Sequence, residues 1–209
     1  AFISRLKCSY GTSGGVWMYH CARRNRLSYF MPYPKRTVAA IKEHYEDGAR
    51  GSMIYQGPMI NPGVEVNTAV AGRILRNPQR DIQDALEEAV DVYYRPKSAE
   101  ARRGVADAIC MAEDAFFDSW SEELKKDPHR PGEFYLETLF ADSPKRTLYL
   151  EQCLTPKGRG LYRKGLIPVL ERVSSLDGQC RDEGRLERIK AGVISAIVDI
   201  ENMGYEQVS

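Results

Sequence analysis

The sequence predicts a mainly α protein with a small α/β part at its beginning, and three observations carry that expectation. Two Gly-bounded segments rich in β-formers, GGVWMYH at 14–20 and GSMIYQG at 51–57, read as short strands. A single helical pattern lies between them. From residue 64 onward, apolar residues recur at helical spacing through several segments. The expected organisation is an α/β part over residues 1–63 and a C-terminal helical domain over 64–209.

The first strand is short and buried, and its end carries Trp17, Tyr19 and His20. Residues Cys21 to Pro34 are polar, aromatic and proline-bounded, which makes a loop. Pro34 preorganises the first turn of a helix from about Lys35 to Asp47, with Val38, Ile41 and Tyr45 on one face and Gly48 as the stop. The second strand, Ser52 to Gln56, is closed by Gly57 and Pro58. A helix of that length between two strands is the crossover that parallel strands require. Strand, helix and strand then read as the last βα units of a (β/α) barrel, a fold whose active sites lie at the C-terminal strand ends.

Downstream, Val66, Val70, Ile74 and Leu75 form one stripe of a helix over Val64 to Leu75, ended by Arg76, Asn77 and Pro78. Asp81 offers a side-chain acceptor to the unpaired amides of the next helix, whose buried face is Ile82, Leu86, Ala89, Val90 and Tyr93. Ser98 opens a long helix to about Lys126 with Val105, Ile109, Ala112, Phe116 and Trp120 facing the core. DPHRPGE at 127–133 is a proline-rich break and the best candidate boundary within the helical part. Shorter helices are expected at Phe134 to Phe140 and Pro144 to Leu154. Pro156, Gly158 and Gly160 break the chain again before a helix at Leu161 to Val173. The last helix runs from about Asp182 to Met203, with Leu186, Ile189, Val193, Ile197 and Ile200 on its buried face. No repeat of a solenoid period is present.

Composition excludes several classes. Hydrophobic residues at 43% and charged residues at 28% are ordinary for a globular chain of 209 residues, which is long enough to fold by its core alone. Lys and Arg number 30 against 29 Asp and Glu, so no broad positive field favours nucleic acid. Arg23, Arg24 and Arg26 beside Tyr19, Tyr29 and Phe30 have the ingredients of a single-strand groove, but a solvated turn accounts for them. No window is apolar for the length of a membrane span, and AFISRLKCSYG lacks the layout of a signal peptide. The start at Ala1, running almost at once into a patterned segment, suggests processing or an incomplete chain with an upstream portion. Cys8, Cys21, Cys110, Cys153 and Cys180 contain no C-x-x-C pair, so free thiols are the default; in an exported chain Cys8 and Cys21 could bridge.

The strand ends are the candidate binding site. Trp17, Tyr19, His20, Tyr55 and Gln56 are the types that line a sugar pocket, since aromatic faces cover the C–H patches of a pyranose while amide and imidazole bond its hydroxyls. Trp17 and Tyr55 serve equally well as core. Glycoside hydrolysis needs two carboxylates on either side of the scissile bond, and no such pair stands near these strand ends. Glu65, shortly after the second strand, is the carboxylate placed to approach the pocket mouth; its position at a helix start also suits the helix dipole. Glu87/Glu88, Glu113/Asp114 and Glu122/Glu123 are adjacent pairs that helical surface charge explains. His20, His44 and His129 have no ligand spacing, so no metal is expected. GTSGG at 11–15 lacks the Lys-Ser/Thr of a phosphate loop, and no G-x-S-x-G elbow occurs.

Taken together, VWMYH, YFMPYPKRTVAAIKEHYEDGARGSMIYQG and VNTAVAGRILRNPQRDIQDALEEAVDVYY resemble the C-terminal half of an uncharacterised bacterial glycoside-hydrolase-like family, the domain of unknown function 4838. That family is related in fold to the hexosaminidase and α-glucuronidase TIM barrels. Trp17 and Tyr19 match its W-x-Y strand, Pro32 and Pro34 its P-x-P helix entry, Gly48, Gly51, Gln56 and Gly57 its second strand, and Leu75, Pro78 and Asp81 its helix junction. The likeness spans roughly residues 14 to 120. It departs where Tyr93 and Tyr94 are followed by Arg95 and Pro96 instead of Gly, and where Arg76 stands in place of an aromatic before the Asn-Pro turn.

The resemblance implies a carbohydrate-active protein, periplasmic or secreted, whose principal carboxylates lie on earlier strands of an N-terminal barrel portion. No cofactor is expected. On this reading the chain contributes pocket-lining residues and a helical support domain, and is inactive as a glycoside hydrolase by itself. The alternative is a non-catalytic helical scaffold or interaction module.

Overall fold

The computed structural model describes residues 29–50, 62–119, 150 and 154–208, and the backbone alone of 15–20 and 51–56. Among these residues are six helices: α1 (Pro34–Glu46), α2 (Pro62–Arg76), α3 (Ile82–Tyr94), α4 (Ala99–Asp118), α5 (Pro156–Ser174) and α6 (Glu183–Met203). Two segments, β1 (Gly15–His20) and β2 (Gly51–Gln56), pair in parallel as a ribbon of two strands, with Gly15 opposite Gly51.

The fold is a helical bundle, which corrects the expected fold class of a small α/β part made of barrel units. The decisive element is α1. A barrel crossover helix would bury its apolar face on a sheet, whereas Val38 and Ile41 join Val66, Val70, Ile109 and Val193 in one apolar cluster formed by helices. That cluster runs across residue 63. The loop after β1 is also part of it: Tyr29 and Phe30 are almost fully buried, and the backbone of Phe30 lies so close to Gly192 that a Cβ there would meet its nitrogen at 2.7 Å.

Local chemistry sets most helix starts. Asp81 accepts from the amides of Gln83 and Asp84, Ser98 from Ala101, Thr155 from Gly158, and Asp182 from Arg185. The stripes expected of α2, α3, α4 and α6 are largely the buried ones, including Val66, Ile74, Leu86, Val90, Ile109, Phe116, Leu186 and Ile200. Ile82 and Ile197 are only partly buried, and two positions differ more. Leu75 is 37% exposed, and at the end of α3 Tyr94, not Tyr93, goes fully inside.

The start of α5 differs as well. The Pro and Gly positions expected to break the chain at 156–160 are instead its first turns, with Pro156 at the start and Thr155 as cap. The glycines answer a spatial demand, since a Cβ on Gly158 would lie 2.6 Å from Ser119 O and one on Gly160 only 1.9 Å from Glu206 O. Further along, Gly165 lets α5 close onto Ala115 of α4, where a Cβ would come within 2.5 Å of the alanine methyl. The antiparallel pair α4–α5 is thus built on small residues.

Beyond the helices, an isolated bridge joins Pro96 to Cys180, flanked by Lys97 N to Gln179 O at 2.8 Å and Arg181 N to Arg95 O at 3.0 Å. This pins the α3–α4 connection to the α5–α6 connection. Arg95 reaches it with φ 49°, a left-handed conformation that costs a non-glycine residue about 1 kcal/mol. The break at 127–133, the helix expected over 134–140, all but Leu150 and Leu154 of that expected over 144–154, Trp120, Cys8 and Cys21 lie outside the described residues. No helix among those described is long and apolar enough to cross a membrane.

Candidate functional site

The strand register brings the sequence-predicted aromatics together along the backbone. Tyr19 is the partner of Tyr55, and His20 of Gln56, while Trp17 stands opposite Met53. The side chains of Trp17, Tyr19, His20, Tyr55 and Gln56 lie outside the described residues.

Glu65 is described, and it does not stand open. It is 7% exposed on the first turns of α2, and its carboxylate is engaged by two arginines of α6. Arg185 Nη1 donates to Glu65 Oε2, and Arg188 Nη1 lies 3.9 Å from Oε1. Arg185 is itself oriented: its Nε reaches Asp182 Oδ2 at 3.2 Å, and its guanidinium lies 4.8 Å from the centroid of the Tyr93 ring. Burial pushes the Tyr94 phenol up, and the nearby Glu65 charge adds to that effect. The cluster therefore joins α2, α3 and α6 through charge.

Two further carboxylates are buried. Glu113 of α4, expected to be surface charge, is 1% exposed; its Oε2 accepts from Lys35 N at 2.8 Å and its Oε1 from Arg36 N at 2.9 Å. The reason lies in α1. Its N-cap residue, Tyr33, makes no side-chain capping bond, so the free first-turn amides take an acceptor from another helix. Burial pushes Glu113 up to about 7, against the pull of the two amide bonds and the Lys35 charge. Lys35 also pairs with Asp114. The missing cap of α1 was legible before Pro34, but not the residue that would supply it.

Asp199 of α6 is the third, accepting from the Tyr29 hydroxyl at 2.7 Å. Asn67 of α2 works alongside it: its Oδ1 accepts from Tyr33 N at 2.8 Å, holding the chain just before α1. Among the described residues, each of these three buried carboxylates thus bonds a different part of the chain. Among the described residues no group of three His, Cys, Asp or Glu could hold a metal ion. Comparison with protein-family models, with curated proteins and with solved structures finds no match for the chain.

Proposed function

We propose that this chain is a helical support module of a carbohydrate-active, glycoside-hydrolase-like protein, and that it performs no proton transfer itself. The observation that carries the support role is the use made of Glu65, Glu113 and Asp199. All three are buried and bonded by donors of the chain, so their oxygens are engaged in holding segments of the bundle together. The same bonds grip the segments next to the strands. Tyr29 follows β1 in sequence and Glu65 follows β2, so two of these bonds lie on chain that leads away from the stretches carrying Trp17, Tyr19, His20, Tyr55 and Gln56. The carbohydrate half of the reading rests on the family resemblance and on the residue types at those strand ends. In this reading the carboxylate pair belongs to another portion of the same protein.

The test is binding against turnover. Titrating the chain with β-linked gluco-, xylo- and chito-oligosaccharides should give measurable affinity, weakened by about 1–3 kcal/mol in Trp17→Ala. Aryl glycosides should not be hydrolysed. Turnover by this polypeptide would refute the support role. An unchanged affinity in a folded Trp17→Ala variant would remove that residue from the site.

A non-catalytic interaction module is the second reading, favoured by Ile194 and Val198, which are 46% and 43% exposed one turn apart on α6. Absence of any glycan affinity, together with self-association lost in Ile194→Lys, would select it.

A further inference from the structure

A second charged feature lies away from the strand ends, in a cleft of about 470 Å³ between the C-terminal half of α2 and α3. Its lining includes Gly72, Arg73, Arg76, Asn77, Arg80 and Glu88. The sequence RILRNPQRD explains the gathering of arginines. Arg73 and Arg76 are one turn apart on α2, and the turn after it folds Arg80 back beside them, with Arg80 N bonded to Asn77 O at 3.0 Å and Gln79 N to Asn77 Oδ1 at 3.2 Å.

Glu88 orders this group without neutralising it. A single oxygen, Oε2, lies 3.1 Å from Arg73 Nε and 2.7 Å from Arg80 Nη1. Arg73 also donates to Ala69 O at 2.9 Å, which fixes its guanidinium along the flank of α2. Arg76 takes part in no ion pair among the described residues and is exposed. Three guanidiniums therefore line the cleft beside one carboxylate that pairs with two of them, and a guanidinium carries five donors in a planar fork suited to oxyanions.

Basic residues at a helix C-terminus are explained by the dipole alone, so a second observation matters. Gly72 sits inside α2, where glycine costs about 1 kcal/mol relative to alanine. Unlike Gly158, Gly160 and Gly165, it faces no neighbour: a Cβ there would meet nothing within 4 Å. Packing does not require this glycine, and its effect is to keep the wall of the cleft bare beside Arg73 and Arg76.

We infer that this cleft binds a phosphate or sulfate oxyanion, held by Arg76 and Arg80 with Glu88 fixing the guanidiniums. The inference does not depend on the support role argued above. It is tested by titrating the full chain with inorganic phosphate, inorganic sulfate, glucose 6-phosphate, glucose, and sodium chloride at matched ionic strength, following the arginine Nε–Hε resonances by NMR. The oxyanions should shift the Arg76 and Arg80 signals saturably, and glucose and chloride should not. Tighter binding of glucose 6-phosphate identifies an ester as the natural source, and tighter binding of inorganic phosphate identifies the free anion. Arg76→Gln should weaken binding by about tenfold or more. Gly72→Leu keeps every guanidinium but fills the space and should abolish binding in a folded protein. Equal responses to chloride and phosphate, no saturable shift, or unaltered affinity in either folded variant would overturn the site.

Discussion

The Tyr29 hydroxyl donates to Asp199 Oδ2 at 2.7 Å, joining the segment after β1 to α6 across 170 positions of sequence. Both residues are buried, so the bond is formed where water does not compete. Tyr29→Phe keeps the ring in the core and removes this bond. Urea denaturation should show a loss of about 1–3 kcal/mol with an unchanged m-value. An unaffected midpoint would show that the contact contributes no net stability.

Glu113 makes a pH-dependent prediction. Its folded value, about 7, lies above its ordinary 4.5, so in that interval the folded chain binds a proton that the unfolded chain does not. Its contribution is complete below 4.5 and is lost as pH rises through 7. Glu113→Gln cannot titrate. The stability of the parent protein relative to Glu113→Gln should therefore fall by about 1–3 kcal/mol between about pH 5 and pH 8. A flat difference across that range would place the titration elsewhere.

At the junction of α2 and α6, Glu65 is nearly buried while Arg185 retains some exposure, with side-chain accessibilities of 9% and 22%. Removing one partner leaves the other charge poorly solvated. Glu65→Ala should cost about 2–4 kcal/mol. A double-mutant cycle with Arg185→Ala should return a coupling of about 1 kcal/mol or more, because the residues share one network. Additive losses would mean that the two act separately.

Two glycines should respond in opposite directions to the same methyl group. Gly165→Ala forces a Cβ to within 2.5 Å of the Ala115 methyl and should destabilise by about 1–3 kcal/mol as α4 and α5 move apart. Gly72→Ala meets no atom and should stabilise by about 0.5–1 kcal/mol through helix propensity. Thermal unfolding of both variants checks the contrast.

Arg95 offers the simplest gain. At φ 49° glycine avoids the Cβ penalty, while the bond from Arg181 N uses only the Arg95 carbonyl. Arg95→Gly should raise stability by about 0.5–1 kcal/mol in chemical denaturation. A loss would indicate that the guanidinium does more than the backbone geometry requires.

Much of the helical part was legible in the order of residues. Asp81, Ser98 and Asp182 announced helix starts because a capping side chain acts on amides two or three positions away. The periods of Val66, Val70 and Ile74, or of Leu186, Ile189 and Val193, marked buried faces because a helix repeats its direction every few residues. Such short-range rules work without knowledge of the partner.

What the tertiary structure alone decided are the relations that span the chain. Periodicity identifies α1 as an apolar-faced helix but is silent on whether Val38 and Ile41 meet a sheet or other helices; packing chose helices, and the expected barrel units gave way to a bundle. An acidic residue in a helix reads as surface charge until its neighbours are known. Glu113 is inside because α1 lacks a cap, and Glu65 because α6 brings Arg185 to it. Gly158 and Gly160 read as breakers until Ser119 and Glu206 occupy the space a Cβ would need. A sequence states which groups need partners, and only the folded chain selects among distant residues able to meet that need.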